Sequence, residues 1–197
     1  MAHATPTLDQ NRLRETLISV LDCAMPACAH IEYRLVGTGA LLMHGIEAPT
    51  SDVDLLVKLR EEVDAFGAAL APFECLVAPA WLPEGRQYYG SYRVNGVEVE
   101  ISTVEIDADT DYAETFGRGP WNFFTSLACG AYTIPVVTLE LRLITELSRN
   151  RPDRYEAIIS HMQANGCDIN FIQRGMASTG LPQDLQTQVL TQLTKSE

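Results

Sequence analysis

The chain has 197 residues, of which 46% are apolar and 20% charged, so it can bury a core as one domain with an appendage or as two small domains sharing one. Its formal net charge of −12 argues against stable duplex DNA binding, which depends on neutralising phosphates. No apolar run approaches the ~20 residues that span a bilayer, and the start "MAHATPTLDQ" lacks the basic and apolar regions of a signal peptide, so a soluble cytoplasmic protein is expected.

In chain order, "LDQNRLRETLISVLDCAM" (8–25) sets Leu13, Leu17, Val20 and Leu21 at helical spacing. "EYRLVGTGA" (32–40) reads as a short strand entering a glycine turn, and "ALLMHG" (40–45) as a short helix stopped by Gly45. "DVDLLVKL" (52–59) is a strand with Val53 and Leu55 on one face and the aspartates on the other. A helix is predicted over 60–73 and a strand over 74–78.

The sharpest local signal is "RQYYGSYRVNGVEVEISTVEI" (86–106), two β-rich runs around Asn95-Gly96, a dipeptide suited to a type I′ hairpin turn. A helix over "DYAETFGR" (111–118) and a packed loop over "GPWNFF" (119–124) follow. From Val137 the sequence turns helical, with helices predicted over 138–150, 151–166, 168–178 and 182–195. The predicted organisation is a mixed α/β part, 1–135, and a C-terminal helical region, 136–197, packed on it.

The five cysteines form no CxxC pair and no His or Cys lies at finger spacing from another, so reduced, mostly buried thiols are expected rather than structural zinc.

The chemistry begins with Asp52 and Asp54. On a strand, residues i and i+2 share a face with Cα atoms ~7 Å apart. Two carboxylates that close disfavour each other's ionisation unless cations lie between them. Two-metal sites hold ions ~3.5–4 Å apart, which suits this spacing. In "NGVEVEISTVE", Glu98 and Glu100 alternate with Val97, Val99 and Ile101 and so share one face. If that strand lies beside the Asp strand, one glutamate completes a three-carboxylate cluster of the hard oxygen donors Mg²⁺ prefers. "VGTGA" adds Gly37 and Gly39, which allow close backbone approach to a phosphate, and the Thr38 hydroxyl. A polar sheet face and an ordinary tight turn are the competing explanations for these features.

A strand ending in Gly37-Thr38, a short helix ending in His44-Gly45, and then Thr50, Asp52 and Asp54 resemble the nucleotidyltransferase superfamily of DNA polymerase beta type. The resemblance is greatest to small prokaryotic members, including toxin–antitoxin nucleotidyltransferases, and covers about residues 30–160. It implies a mixed β-sheet flanked by helices. It also implies Mg²⁺ or Mn²⁺ held by Asp52, Asp54 and Glu100 (Glu98 the alternative), and transfer of a nucleoside monophosphate from ATP or another NTP to a hydroxyl of a protein, tRNA or small molecule. Gly37, Thr38, Thr50 and Ser51 then face the nucleotide, and Arg142, Arg149 and Arg151, clustered with Arg154 in an acidic chain, form a phosphate clamp unless they are ordinary helix-surface charge. Partners implied are the NTP, an unidentified hydroxyl acceptor and a cognate protein. Ala48 stands where many relatives carry Arg, which supports a second reading: a non-catalytic binding or partner-regulating module on the same fold. His44, Trp81, Trp121, Tyr88 and Tyr89 are expected to be packing residues.

Overall fold

The computed structural model describes residues 8–104, 110–114 and 117–194. The tails of two predicted elements, 105–106 and Lys195, lie outside them, as do Thr115 and Phe116 of the predicted 111–118 helix.

Helix α1 (Gln10–Cys28) opens on Asp9, whose carboxylate accepts the Arg12 N–H at 2.8 Å, and buries Leu13, Leu17, Val20 and Leu21 as the spacing required. Strand β1 (Tyr33–Val36) leads into α2 (Gly37–Met43) with no intervening turn, because Gly37 itself takes the left-handed φ of +65° that redirects the chain. Strand β2 (Asp52–Val57) is followed by α3 (Arg60–Ala69), where Glu62 reaches back to accept the Leu59 N–H at 2.9 Å. Strand β3 (Glu74–Leu82) runs four residues beyond the predicted 74–78; it is an edge strand with register irregularities against its neighbour and carries Pro79. Strands β4 (Gln87–Val94) and β5 (Val97–Thr103) form the predicted hairpin, with Asn95 at φ +52° and Gly96 at φ +75°.

Two sequence expectations fail after β5. The described part of 111–118 is bends and turns rather than helix, and "GPWNFF" contains a one-turn helix, α4 (Gly119–Asn122). Strands β6 (Phe124–Cys129) and β7 (Tyr132–Val137) then form a hairpin absent from the sequence reading. The boundary drawn near 135 falls inside β7, the last strand. Four helices follow as predicted: α5 (Leu139–Ser148), α6 (Pro152–Asn165), α7 (Ile169–Ser178) and α8 (Gln183–Thr194).

The seven strands form one mixed sheet in the order β3-β4-β5-β2-β1-β7-β6. β2 is parallel to β5 and β1 to β7, while the other neighbours are antiparallel. One core joins α1 and α3 to Val53, Leu55, Val99 and Ile101 of the central strands. The mixed sheet with flanking helices is the architecture expected. Among the described residues no helix is long and apolar enough to cross a membrane.

Candidate active site

The apolar alternation that buries Val53 and Leu55 turns Asp52 and Asp54 to the opposite face of β2, where both are partly exposed. Their neighbour is β5, in parallel register: Asp52 opposes Glu98 and Asp54 opposes Glu100. Register partners share a face, so four carboxylates line adjacent strands at one end of the sheet.

On its other side β2 pairs with β1, Asp54 opposite Val36, the residue before the glycine turn. A Cβ built on Gly37 would collide with the Asp54 carboxylate and approach its Cγ to 2.7 Å. Only glycine satisfies both this contact and the positive φ. Thr50, almost buried, donates its hydroxyl to Asp52 Oδ1 at 2.8 Å and fixes that carboxylate's rotamer, while Ser51 is exposed.

This crowding shows in the titration of the acids. Burial first, and then the charges of Asp52, Glu100 and Glu114, push Asp54 well above the ordinary carboxylate range, against a smaller opposing pull from Arg142. Glu100 is also raised, chiefly by burial, with hydrogen bonds from Tyr89 and Asp54 working against the shift. The Tyr89 hydroxyl donates to Glu100 Oε1 at 3.1 Å, and its own ionisation is pushed up to about 12, mainly by burial. Tyr89, expected only to pack, therefore orients the third acid.

The arginines separate into distinct environments. Arg142 is buried. Its side chain is 1% exposed and forks between the carboxylates of Glu114 (1%) and Glu146 (0%). Arg149 is exposed at the end of α5, and Arg151 is exposed with a guanidinium nitrogen 3.9 Å from Glu146. The cation at the glycine turn is Arg154, whose Nη1 donates to Thr38 Oγ1 at 2.6 Å and also lies 3.9 Å from Glu146. The clamp predicted for Arg142, Arg149 and Arg151 thus has a different member closest to the turn. Glu114 is a further residue the sequence reading missed; one of its oxygens accepts the Gly37 N–H at 2.6 Å.

His44 packs at the end of α2 with Nε2 bonded to the Val137 carbonyl at 2.9 Å, and burial lowers its pKa. Tyr88 bonds Asp64 at 3.0 Å, while Trp81 lies exposed on β3. All five cysteines are free, two of them buried.

The fold has counterparts among solved structures. A candidate nucleotidyltransferase from Thermotoga maritima superposes with a TM-score of 0.58 at 14% identity, over 82% of this chain and 99% of that one. The antibiotic-resistance factor ANT(2'')-Ia matches with a TM-score of 0.52 at 10% identity, covering 83% and 91% of the two chains. An antigenic nucleotidyltransferase-like protein from Paracoccidioides brasiliensis matches at 0.51 and 14% identity, covering 94% and 95%. The fold is that of the nucleotidyltransferases. No family model and no curated protein sequence matches the chain, so the nucleotidyltransferase likeness lies in three-dimensional structure.

The donor set at the site consists of carboxylate oxygens, the ligands of hard divalent cations. Among the described residues, no group of three or more His, Cys, Asp or Glu side chains could hold a metal ion, so the predicted set of Asp52, Asp54 and Glu100 is not drawn together as a complete protein cage. Mg²⁺ seldom uses one: it keeps several waters and takes one or two carboxylates plus substrate phosphates. The pair of strand aspartates, sharing one face of β2, fits that pattern.

Proposed function

We propose that the chain is a metal-dependent nucleotidyltransferase that moves a nucleoside monophosphate from an NTP to a hydroxyl of a protein, a tRNA or a small molecule. The observation that carries this reading is Asp54 packed against a glycine that cannot bear a side chain, with Glu100 opposite it in register. A sheet face that was merely polar has no need to press a carboxylate onto the turn leading out of β1.

On this reading Asp52 and Asp54 hold Mg²⁺ or Mn²⁺ together with the triphosphate. The ion, when bound, neutralises phosphate charge and polarises the α-phosphorus. Thr50 holds the Asp52 carboxylate in place. Glu100 takes the proton of the acceptor hydroxyl; burial raises its pKa and so makes it a stronger base than an ordinary carboxylate. The acceptor oxygen bonds to the α-phosphorus as the bond to pyrophosphate breaks. Arg154, beside Thr38, meets the negative charge of the leaving group, with Arg151 next to it across Glu146.

The test is incubation with each labelled NTP, Mg²⁺ or Mn²⁺, and cell lysate. Label is expected on one class of molecule with wild type and on none with Asp54→Asn. Absence of label, together with no thermal shift from metal plus any NTP, would favour the non-catalytic partner-regulating module.

A further inference from the structure

We propose that Glu114 and Arg142 are positioning residues for the triphosphate: with Glu146 they form a buried brace that fixes the Gly37–Thr38 turn and aims Arg154 at it. This rests on the nucleotidyl-transfer reading above.

The contacts close on themselves. The Gly37 N–H donates to Glu114 Oε1 at 2.6 Å. The other Glu114 oxygen pairs with Arg142 Nη1, and Arg142 Nη2 pairs with Glu146 Oε1. That same Glu146 oxygen lies 3.9 Å from Arg154 Nη1, which donates to Thr38 Oγ1 at 2.6 Å. The path leaves the chain at Gly37, passes through the 110–114 segment, α5 and α6, and returns at Thr38, the next residue. The Gly37 amide, committed to Glu114, and the Thr38 hydroxyl, which the turn can still offer to a phosphate, are therefore set by one network.

Stability alone gives a poor account of this network. Within hydrogen-bond reach a single buried guanidinium serves two buried carboxylates, the other cations, Arg151 and Arg154, standing 3.9 Å from Glu146. Arg142 Nε and Glu146 Oε2 are buried and have no hydrogen-bond partner among the described residues. Buried ion clusters of this kind are commonly matched or bettered in stability by apolar residues of similar volume. What the cluster supplies instead is a rigid, directional link between the turn that abuts Asp54 and the arginine nearest that turn.

The experiment compares the full chain with the triple variant Glu114→Met/Arg142→Met/Glu146→Leu and with Arg142→Lys. Melting temperature, kcat, KM and equilibrium binding of Mg²⁺ with each of the four nucleoside triphosphates are measured. The triple variant is expected to melt at or above the wild-type temperature and to bind triphosphate about tenfold more weakly or worse, with KM rising more than kcat falls. Arg142→Lys keeps the charge but cannot fork to both glutamates, so it is expected to lose affinity, with a lower melting temperature because a buried carboxylate loses its partner. Wild-type affinity in a folded triple variant overturns the proposal. So does tighter binding, which would mean that Glu114 keeps phosphate out. Where the triple variant unfolds, Arg142→Lys decides: unchanged affinity overturns the brace. A wild type that binds no triphosphate removes the nucleotidyl-transfer reading and the brace with it, whereas wild-type binding with unaffected variants removes the brace alone.

Discussion

Replacing Gly37 by alanine tests the contact on which the site is built. Its φ of +65° is left-handed, which costs an L-residue roughly 1–2 kcal/mol. The added Cβ would also stand 2.7 Å from Asp54 Cγ, where carbon atoms prefer ~3.5–4.0 Å, so the carboxylate must be displaced. Overpacking of that kind adds roughly 1–3 kcal/mol, for a total of about 2–5. A chain of this size shifts its Tm by about 2–4 °C per kcal/mol, which puts the expected loss at roughly 4–20 °C. Gly45 is the internal control: its φ is +84°, but nothing lies within 4 Å of a Cβ there, so Gly45→Ala meets only the backbone penalty. Urea denaturation of both variants, and of Gly37→Ala in an Asp54→Ala background, separates the two contributions. With Asp54 shortened, the cost of Gly37→Ala is expected to fall by the overlap share, a coupling of about 1–3 kcal/mol. Gly37→Ala and Gly45→Ala of equal cost, with an additive double-mutant cycle, would show that Asp54 does not lie on the turn.

Asp54→Asn removes a ligand and a repelling charge together. In EDTA at neutral pH it is expected to melt at or above the wild-type temperature, and to lose most of the stabilisation that Mg²⁺ plus NTP gives wild type, about 2.7 kcal/mol at a hundredfold excess over Kd. Because the folded-state pKa of Asp54 is raised, its contribution to stability is complete below the ordinary carboxylate pKa and is lost as pH rises toward the raised value. Metal-free wild type is therefore expected to lose stability relative to Asp54→Asn as pH rises from the ordinary carboxylate range; parallel melting profiles of the two proteins would contradict the assigned environment. Glu100→Gln is expected to lower transfer more than Glu98→Gln, since Glu100 is the acid opposite Asp54; the reverse order in a kinetic comparison would mean that the register has been misassigned. Arg154→Ala is expected to raise the KM for NTP more than Arg149→Ala, with little change in Tm for either; equal effects would return the clamp to the surface arginines.

The aspartate strand was legible because its apolar alternation is local, and so was the hairpin, whose Asn95-Gly96 turn needs positive φ at both positions. That β5 lies beside β2 rather than elsewhere in the sheet is a non-local fact, available only as a condition on the sequence reading. Strands β6 and β7 escaped because Thr125, Ser126, Thr133 and Pro135 interrupt their apolar pattern. The misplacement of Arg142 had a readable cause. In "LELRLITEL" leucines and isoleucine occupy every side of the helix, and the structure buries all of Leu141–Leu147. A helix apolar all round is a buried helix, so its Arg and Glu at i and i+4 form a core pair and not a surface one. Glu114 left no comparable signal, because nothing in "DYAETFGR" distinguishes an acid that reaches a distant backbone amide from one in water.

A formal charge of −12 gives this chain no long-range pull on a triphosphate, and exposed charges beyond ~10 Å are screened at physiological salt in any case. Recognition on the proposed reading must therefore be short-ranged. The acids Asp52, Asp54, Glu98 and Glu100 on the strands repel a free triphosphate, and Glu114 and Glu146 already occupy Arg142. What remains to receive phosphate oxygens is Arg154 with the Thr38 hydroxyl, and Arg151 farther out. One or two guanidinium groups do not balance a tetra-anion beside four carboxylates; a divalent cation arriving with the nucleotide does, since it turns the strand acids from repelling groups into ligands. Burial first, and then the same crowd of acids, makes Asp54 hard to ionise without such a cation. Nucleotide affinity is thus expected to depend on metal far more steeply than on salt. Binding of free ATP in EDTA as tight as binding of its Mg²⁺ complex would break this chain of reasoning at its electrostatic step.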